Sequence, residues 1–452
     1  MRWLRVLALS VAAVGVATVA RAQAPSDAAR PNVVLIVTDD VGYGDFSSYG
    51  ARDIRTPNID GLARDGTKLT DFYASPLCTS TRAALITGRY QQRYQLERAL
   101  PSMPNAGGQG LAAIGRSLPQ LLKNNGYATG LVGKWHLGYL PAFAPNAHGF
   151  DYFFGFKSGF IDYYQHTDGD GADDLFENGA PVHVTGYMTD LITERAVRFL
   201  HQNAERPFFL EVTYNAAHWP FQVPDHPSVA AGHGRFVQPV DDTPSTREDY
   251  AKIVERADQG VGQILQTLER LRLTQNTLVI FTNDNGGEWL SSNAPLFHRK
   301  DTLWEGGIRV PAIFRWPGHV RAGHVSNQVG SIMDLTASIL GATMTAVPGD
   351  TKLEGMNLLP ILSGRTPNVE RTLFFRIAVA ARQQRAVRQG EWKLLVDGDD
   401  TMLFNLARDI EERHDVAKER PDVARRLRPL LAQWEADVDA EAQVRKNGSA
   451  RP

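Results

Sequence analysis

Asn32-Val-Val-Leu-Ile-Val-Thr38, followed at once by Asp39-Asp40-Val-Gly42-Tyr-Gly44, is the stretch that decides the fold. A continuous β-branched run without polar alternation suits a strand buried on both faces. Three more segments repeat the form. Residues 117–123 read as a helix closed by Gly126, and residues 127–132 as a strand that ends in Gly133-Lys134-Trp135-His136. Residues 207–213 read as a third strand, followed by Asn215-Ala-Ala-His218-Trp-Pro220. Apolar residues from Tyr250 to Leu271 keep helical spacing over 248–273, and a fourth strand over 277–282 ends in Asn283-Asp284-Asn285-Gly286-Gly287. Alternating helices and apolar strands predict an open, largely parallel α/β sheet. Such sheets bind ligands outside the carboxyl ends of their strands. Each polar ending alone is an ordinary turn or surface feature. Four of them at one edge predict a site.

The chain has 452 residues, 43% hydrophobic and 22% charged, with a formal net charge of −2. That is enough for a large core and a second small domain. Without basic runs, neither nucleic acid nor an anionic membrane is expected as a partner. Arg2 and Arg5 precede an apolar stretch over 6–20, and Ala22-Gln23-Ala24 fits a cleavage site. The expectation is a signal peptide over 1–24 and an exported protein, periplasmic or secreted. No Cys lies near that point to carry a lipid, and no later segment is apolar for long enough to span a bilayer. Exported proteins usually use cysteine in pairs. Cys78 is nevertheless the one cysteine in the chain, placed just before a small-residue stretch that reads as a helix start.

Asp39, Asp40, Asp284 and Asn285 offer hard oxygen ligands suited to calcium or magnesium. Cys78 alone is soft, which disfavours zinc and copper. Arg82, Lys134, His136, His218 and Lys300 supply cationic or protonatable groups. A metal and several cations around one nucleophile suit a sulfate or phosphate ester. Two motifs are decoys. Gly130-Leu-Val-Gly133-Lys134 lacks the first glycine and the Ser or Thr of a phosphate-binding loop. Asp168-Gly-Asp170-Gly-Ala-Asp173 lacks the glycine and closing Glu of a calcium loop, and is expected to be a polar surface loop. His148 and His166 are expected to be structural.

Five motifs together are highly specific: Pro31 to Asp45, Thr56-Pro-Asn-Ile-Asp60, Cys78-Thr-Ser-Thr-Arg82-Ala-Ala-Leu-Ile-Thr-Gly-Arg89, Gly133-Lys-Trp-His-Leu-Gly138 and Thr282-Asn-Asp-Asn-Gly-Gly287. They resemble the formylglycine-dependent type I sulfatases of the alkaline phosphatase superfamily, as do Lys300-Asp-Thr-Leu-Trp-Glu-Gly-Gly307 and Leu403-Phe-Asn-Leu406. The resemblance implies a large alkaline-phosphatase-like α/β domain with a mostly parallel sheet over 25–365. A small C-terminal subdomain with an antiparallel sheet and a helix would follow over 366–452. It implies that Cys78 is oxidised to formylglycine by a formylglycine-generating enzyme. Asp39, Asp40, Asp284, Asn285 and residue 78 would bind one calcium ion. Arg82 and Lys134 would hold the formylglycine, while Lys134, His218 and Lys300 would bind sulfate oxygens. Asp284 would assist attack on sulfur, and His218 or Lys300 would protonate the leaving alcohol. His136 would take the proton that lets sulfate depart. The family's maturation signature has Pro or Ala where Ser80 stands here; the rest is intact, so modification is expected.

The expected activity is hydrolysis of a sulfated carbohydrate or an aryl sulfate. A phosphoester or phosphonate monoester hydrolase on the same scaffold is one alternative. A non-catalytic, calcium-dependent binder of sulfated glycans is another, should Ser80 block the oxidation. Residues 150–155 and 160–164, with Trp219 and Trp289, are candidates for a sugar or aromatic subsite, although core packing explains each equally well. Either a monomer or a dimer fits the pattern.

Overall fold

Every residue of β1 (Asn32–Thr38) is buried, as a strand covered on both faces must be. The computed structural model describes residues 30–102, 107–225, 245–379 and 382–449, so the expected signal peptide over 1–24 lies outside the described residues. The strands that follow are β2 (Thr67–Tyr73), β3 (Ala128–Lys134), β4 (Tyr152–Phe156), β5 (Phe176–Glu177), β6 (Ala180–Pro181) and β7 (Phe208–Thr213). Then come β8 (Thr277–Asn283), β9 (Arg309–Arg315), β10 (His324–Ser326) and β11 (Gly330–Ser331). They form one sheet in the order β10-β2-β9-β8-β1-β7-β3-β4-β5-β6, with β11 also paired to β2.

The centre, β8-β1-β7-β3-β4, is parallel throughout. On one side β9 runs antiparallel to both β8 and β2, so the sheet is mixed rather than purely parallel. Helices cover both faces: α1 (Pro57–Asp65), α2 (Cys78–Thr87), α3 (Leu118–Asn124), α4 (Met188–Gln202), α5 (Arg247–Arg270), the single turn α6 (Glu305–Ile308) and α7 (Ile332–Ala342). Val33, Leu35 and Val37 of β1 pack into the core shared with α2, α3 and α7. Val34 and Ile36 face the core shared with α4 and α5. This period of two sorts a uniformly apolar strand between two cores. The helix expected over 248–273 forms as α5, with the Thr246 hydroxyl accepting the Asp249 N–H at 3.2 Å as its N-cap.

After the short α8 (Leu359–Leu362), strands β12 (Thr372–Val379), β13 (Arg382–Gln389), β14 (Trp392–Asp397) and β15 (Asp400–Asn405) form a separate antiparallel sheet. One face receives Leu427, Leu431, Trp434 and Val438 of α9 (Pro421–Ser449). Its other face shares a core with Leu77 and Leu303, which flank Cys78 and Lys300 in sequence. Polar bonds reinforce that contact. Gln384 Oε1 accepts the Leu303 N–H at 2.7 Å, and Glu412 Oε2 accepts the Glu305 N–H at 2.6 Å. Lys393, with no exposed surface, bridges Glu305 Oε1 at 2.9 Å and Glu412 Oε1 at 2.8 Å.

One ammonium cannot fully neutralise two buried carboxylates. Glu305 is held at about 2: burial works against its ionisation, but Lys393, Arg309 and Arg388 prevail. Burial pushes Glu412 up to about 7. Removing the buried charge in Lys393→Met leaves Glu412 without its cation and Glu305 with only Arg309 at ion-pair distance, and should lower stability by about 3–5 kcal/mol in urea denaturation. A second expectation follows from Glu412. Its folded pKa of about 7 lies above its ordinary value of 4.5, so the folded chain binds the extra proton across that interval. Stability therefore falls as pH rises through it, and Glu412→Gln should flatten the decline when unfolding is compared at about pH 5 and about pH 8.

Candidate active site

Register delivers the polar strand endings to one place. Thr38 pairs with Asn283, Val37 with Thr213, and Thr213 with Gly133, so Asp39, Asp284 and Lys134 leave the sheet side by side. The ends are then tied together. The Asp39 N–H donates to the Ala216 carbonyl at 2.9 Å, and the Ala217 N–H donates to the Asp39 carbonyl at 2.7 Å. Asp40 and His136 both turn left-handed, with φ of 57° and 56°, a conformation that costs a non-glycine residue about 1–2 kcal/mol. Around Asp40 the surroundings supply the compensation. Its N–H donates to Asp284 Oδ1 at 3.3 Å, and its Oδ1 accepts from Asn285 Nδ2 at 2.7 Å.

Cys78 is the first residue of α2, a helix buried along its whole length, which accounts for its small residues on every face. Its Sγ lies 3.8 Å from Asp39 Oδ1. Burial pushes the thiol well up, against the pull of Lys134 and Lys300. A thiol held protonated is a poor nucleophile even at a helix N-terminus.

Three carboxylates are matched with three cations. Lys134 Nζ is 2.6 Å from Asp39 Oδ2, Lys300 Nζ is 2.6 Å from Asp40 Oδ2, and Arg82 Nη2 is 2.9 Å from Asp284 Oδ2. Arg82 also donates to the Lys134 carbonyl at 2.9 Å. Asp39 nevertheless lies well above the carboxylate range, because burial and the charge of Asp284 outweigh Lys134. Burial acts on Asp284 in the same sense, yet Arg82 and Lys134 hold it low. So many acids in contact favour a divalent cation among them.

Asn285 Oδ1 points the same way: it is buried and has no hydrogen-bond partner in the protein. Of the expected metal set, the ligand atoms of Asp39, Asp40 and Cys78 lie, with that of His218, within 4.8 Å of one another. Asp284 and Asn285 reach the same place through their bonds to Asp40. The donors are mostly hard oxygens, so the residues present fit calcium.

The histidines present their ring nitrogens differently. His218 Nδ1 lies 2.7 Å from the Trp219 carbonyl, which assigns the proton to Nδ1 and leaves the Nε2 lone pair facing Lys300 Nζ at 3.4 Å. Its ring stacks on Phe160 at 5.7 Å and 7°. His136 Nε2 lies 3.0 Å from the Leu100 carbonyl, so Nε2 carries the proton and the buried Nδ1 is a basic lone pair without a protein partner. A Cβ at Gly159 would sit 2.7 Å from the His136 ring, so that approach requires glycine. Burial, then neighbouring cations, keep both imidazoles neutral.

Other expected residues separate from the site. His148 and His166 bond the carbonyls of Leu111 and Gly186 and are structural. The loop over 168–173 lies at the surface as expected, with residues 170–173 exposed; at its base Asp168 is buried and folds its carboxylate onto the N–H groups of Asp170 and Ala172, and a Cβ at Gly169 would strike Phe160. Phe150, Phe153 and Phe154 belong to the core. Phe160 and Trp219, with ring centroids 4.0 Å apart, and Trp289, 5.8 Å from Trp219, make a half-buried wall beside His218. Two acids escaped the sequence reading. Glu288 Oε2 stands 3.7 Å from Lys300 Nζ. Glu211 lies buried within β7, raised to about 7 by burial, with Arg82 as its charged neighbour. A lone acid inside an apolar strand was the available signal for Glu211; Glu288 looked like any turn residue.

Comparison with known proteins agrees with this geometry. Residues 31–345 match the Sulfatase family model, and residues 295–437 match the model described as N-sulphoglucosamine sulphohydrolase, C-terminal. The chain is 33% identical to N-acetylgalactosamine-6-sulfatase of Canis lupus familiaris, over 95% of this chain and 89% of that protein. It is 32% identical to arylsulfatase A of Bos taurus, over 93% and 91% respectively. The crystal structure of Ps i-CgsB in complex with k-i-k-neocarrahexaose superposes with a TM-score of 0.81 at 33% identity, covering 90% of this chain and 92% of that one. The chain belongs to the sulfatase family of the alkaline phosphatase superfamily and is an enzyme that hydrolyses sulfate esters.

Proposed function

We propose that the chain is a calcium-dependent sulfatase in which residue 78 acts as formylglycine, and that its substrate is a sulfated glycan. One observation carries this reading: a buried thiol at a helix N-terminus beside Asp39, within a cluster of three carboxylates, three cations and an unpartnered amide oxygen. Glycan sulfate follows from the relatives, which include N-acetylgalactosamine-6-sulfatases and a protein crystallised with a neocarrahexaose. An exported enzyme, matured by a formylglycine-generating enzyme and divided near residue 365 into a catalytic domain and a small C-terminal subdomain, completes the proposal. Among the described residues no helix is long and apolar enough to cross a membrane.

Asp39, Asp40, Asp284, Asn285 and residue 78 would hold calcium, which supplies Lewis-acid stabilisation of anionic oxygens. Formylglycine, as its hydrate, supplies a hydroxyl nucleophile at position 78. The chain's own residues do the rest. Arg82, fixed by Asp284 and the Lys134 carbonyl, cannot swing away and so sets the position of the helix start. Lys134 and Lys300 face the sulfate and offset its charge in a pocket that excludes water, with the neutral His218 ring beside them. Asp284, kept ionised, receives a proton as the nucleophile attacks. Lys300, in contact with Asp40, stands where the leaving alcohol needs a proton, whereas the His218 proton is held on the Trp219 carbonyl. His136 Nδ1 offers its lone pair to the second proton at residue 78.

Mass spectrometry of the peptide spanning Cys78 should find it about 18 mass units lighter than the thiol form. An intact thiol in a protein without sulfatase activity would overturn the catalytic reading and leave a glycan binder. Cys78→Ala should lower kcat by about 10⁴-fold or more. Parallel assays on aryl sulfate and aryl phosphate separate sulfatase from phosphoesterase. Chelation should abolish turnover and lower the Tm, and added calcium should restore about 3 kcal/mol of stability at a hundredfold excess over Kd. In Asn285→Ala the calcium-dependent thermal shift should shrink, a readout independent of activity.

A further inference from the structure

We propose that Phe160, Trp219 and Trp289 form a stacking platform for the sugar ring that carries the sulfate, and so select which esters the enzyme accepts; this rests on the reading of the substrate as a sulfated glycan. In the folded chain, core packing no longer explains these rings. Among the described residues, none of the three belongs to a hydrophobic core, and each is half-buried. Phe153, Phe154 and Phe156, close by in sequence, have no exposed surface at all. Large apolar rings left at the surface beside a pocket of buried charge mark a ligand-binding face.

The rings make one continuous wall that meets the anion pocket at both ends. Phe160 lies parallel to the His218 ring, at 7° with 5.7 Å between centroids. Trp219 follows at 4.0 Å from Phe160, and Trp289 at 5.8 Å from Trp219. Each tryptophan is the chain neighbour of a residue that faces Lys300. His218, before Trp219, places Nε2 3.4 Å from the Lys300 ammonium, and Glu288, before Trp289, places Oε2 at 3.7 Å. A sulfate ester held at Lys300 therefore has the wall beside its alcohol.

The wall is also fixed from behind. The Ser158 hydroxyl donates to the Phe160 carbonyl, and a Cβ at Gly169 would sit 2.4 Å from the Phe160 ring. The Trp219 carbonyl accepts the His218 Nδ1–H at 2.7 Å. Trp289 rests against Phe221 at 6.4 Å and 77°, and Phe221 packs on Tyr250 of α5 at 5.9 Å. Trp289 itself is left-handed, with φ of 44°. Strain of this kind in a bulky residue collects at ligand clamps.

A pyranose suits this surface. Its ring face is a patch of C–H groups that lies flat on aromatic rings, and its hydroxyls leave from the edge. Glu288, 17% exposed beside Trp289, offers those hydroxyls an acceptor. A plain aryl ring would stack equally well but has no use for that carboxylate.

The test uses the matured, calcium-loaded enzyme, 4-nitrophenyl sulfate, and hexoses monosulfated at each position in turn. Trp219→Ala and Trp289→Ala should each raise KM for the best-cleaved sugar sulfate about 10-fold, with a smaller effect on kcat. Inorganic sulfate, a competitive inhibitor without a ring, reports on the anion pocket alone, and its Ki should move by less than about 2-fold. Trp→Phe at either position, which keeps a flat face, should recover most of the KM. Should an alanine variant fail to fold, Trp→Leu keeps apolar bulk without the flat face and carries the same comparison. KM and the sulfate Ki rising together, or neither rising, would overturn the platform while leaving the sulfatase reading intact. So would a wild-type enzyme that cleaves the aryl ester and no sugar sulfate. A wild-type enzyme that cleaves no sulfate ester would overturn the sulfatase reading and the platform with it.

Discussion

The constraint on which this structure depends is the burial of like charges at one edge of a parallel sheet. Asp39, Asp40 and Asp284 sit within a few ångströms of one another in a space nearly closed to water. A buried carboxylate is tolerated only when it is paired. The fold assigns each its own cation: Lys134 from the next-but-one strand, Lys300 from a long loop, and Arg82 from the buried helix. Each partner arrives from a different part of the chain, so the site cannot form until the sheet, α2 and the loop before α6 are all in place. The pairing remains incomplete, as the raised Asp39 carboxyl and the idle oxygen of Asn285 record.

The C-terminal sheet is part of the same arrangement. Its inner face packs on Leu77 and Leu303, and Gln384 and Glu412 fasten the backbone between Lys300 and α6. Asp301 in turn donates its N–H to the Pro76 carbonyl, two residues before Cys78. The loop carrying Lys300 is thus gripped from both sides. A substitution in the small sheet, such as one at Lys393, would reach the backbone that carries Lys300.

Much of this was legible in the sequence because burial leaves so few choices. β1 and β8 were readable almost to the residue, since their apolar runs stop abruptly at acids. β2 and β9 were not. Thr67–Tyr73 mixes polar and apolar residues, and Arg309–Arg315 contains a proline, so neither reads as an interior strand. Their antiparallel course adds a mixed flank to a sheet whose centre is parallel, as expected. The site residues that lie in motifs were all identifiable. What no spacing reveals is which side chain a ring or an acid will face: Phe160 under His218, and Glu288 beside Lys300. Those contacts depend on three-dimensional register between loops.

The complete burial of α2 also bears on timing. Cys78 is 2% exposed, and the Ser80 hydroxyl is held by the Leu96 carbonyl at 2.8 Å inside the same packed helix. No second enzyme can bind the segment around Cys78 in the native state. On the proposed reading, oxidation of that residue would have to be finished before α2 packs, and folding would then seal in whichever chemistry it finds. On the same reading, a molecule that folds first would be complete in every contact described above and yet lack its nucleophile.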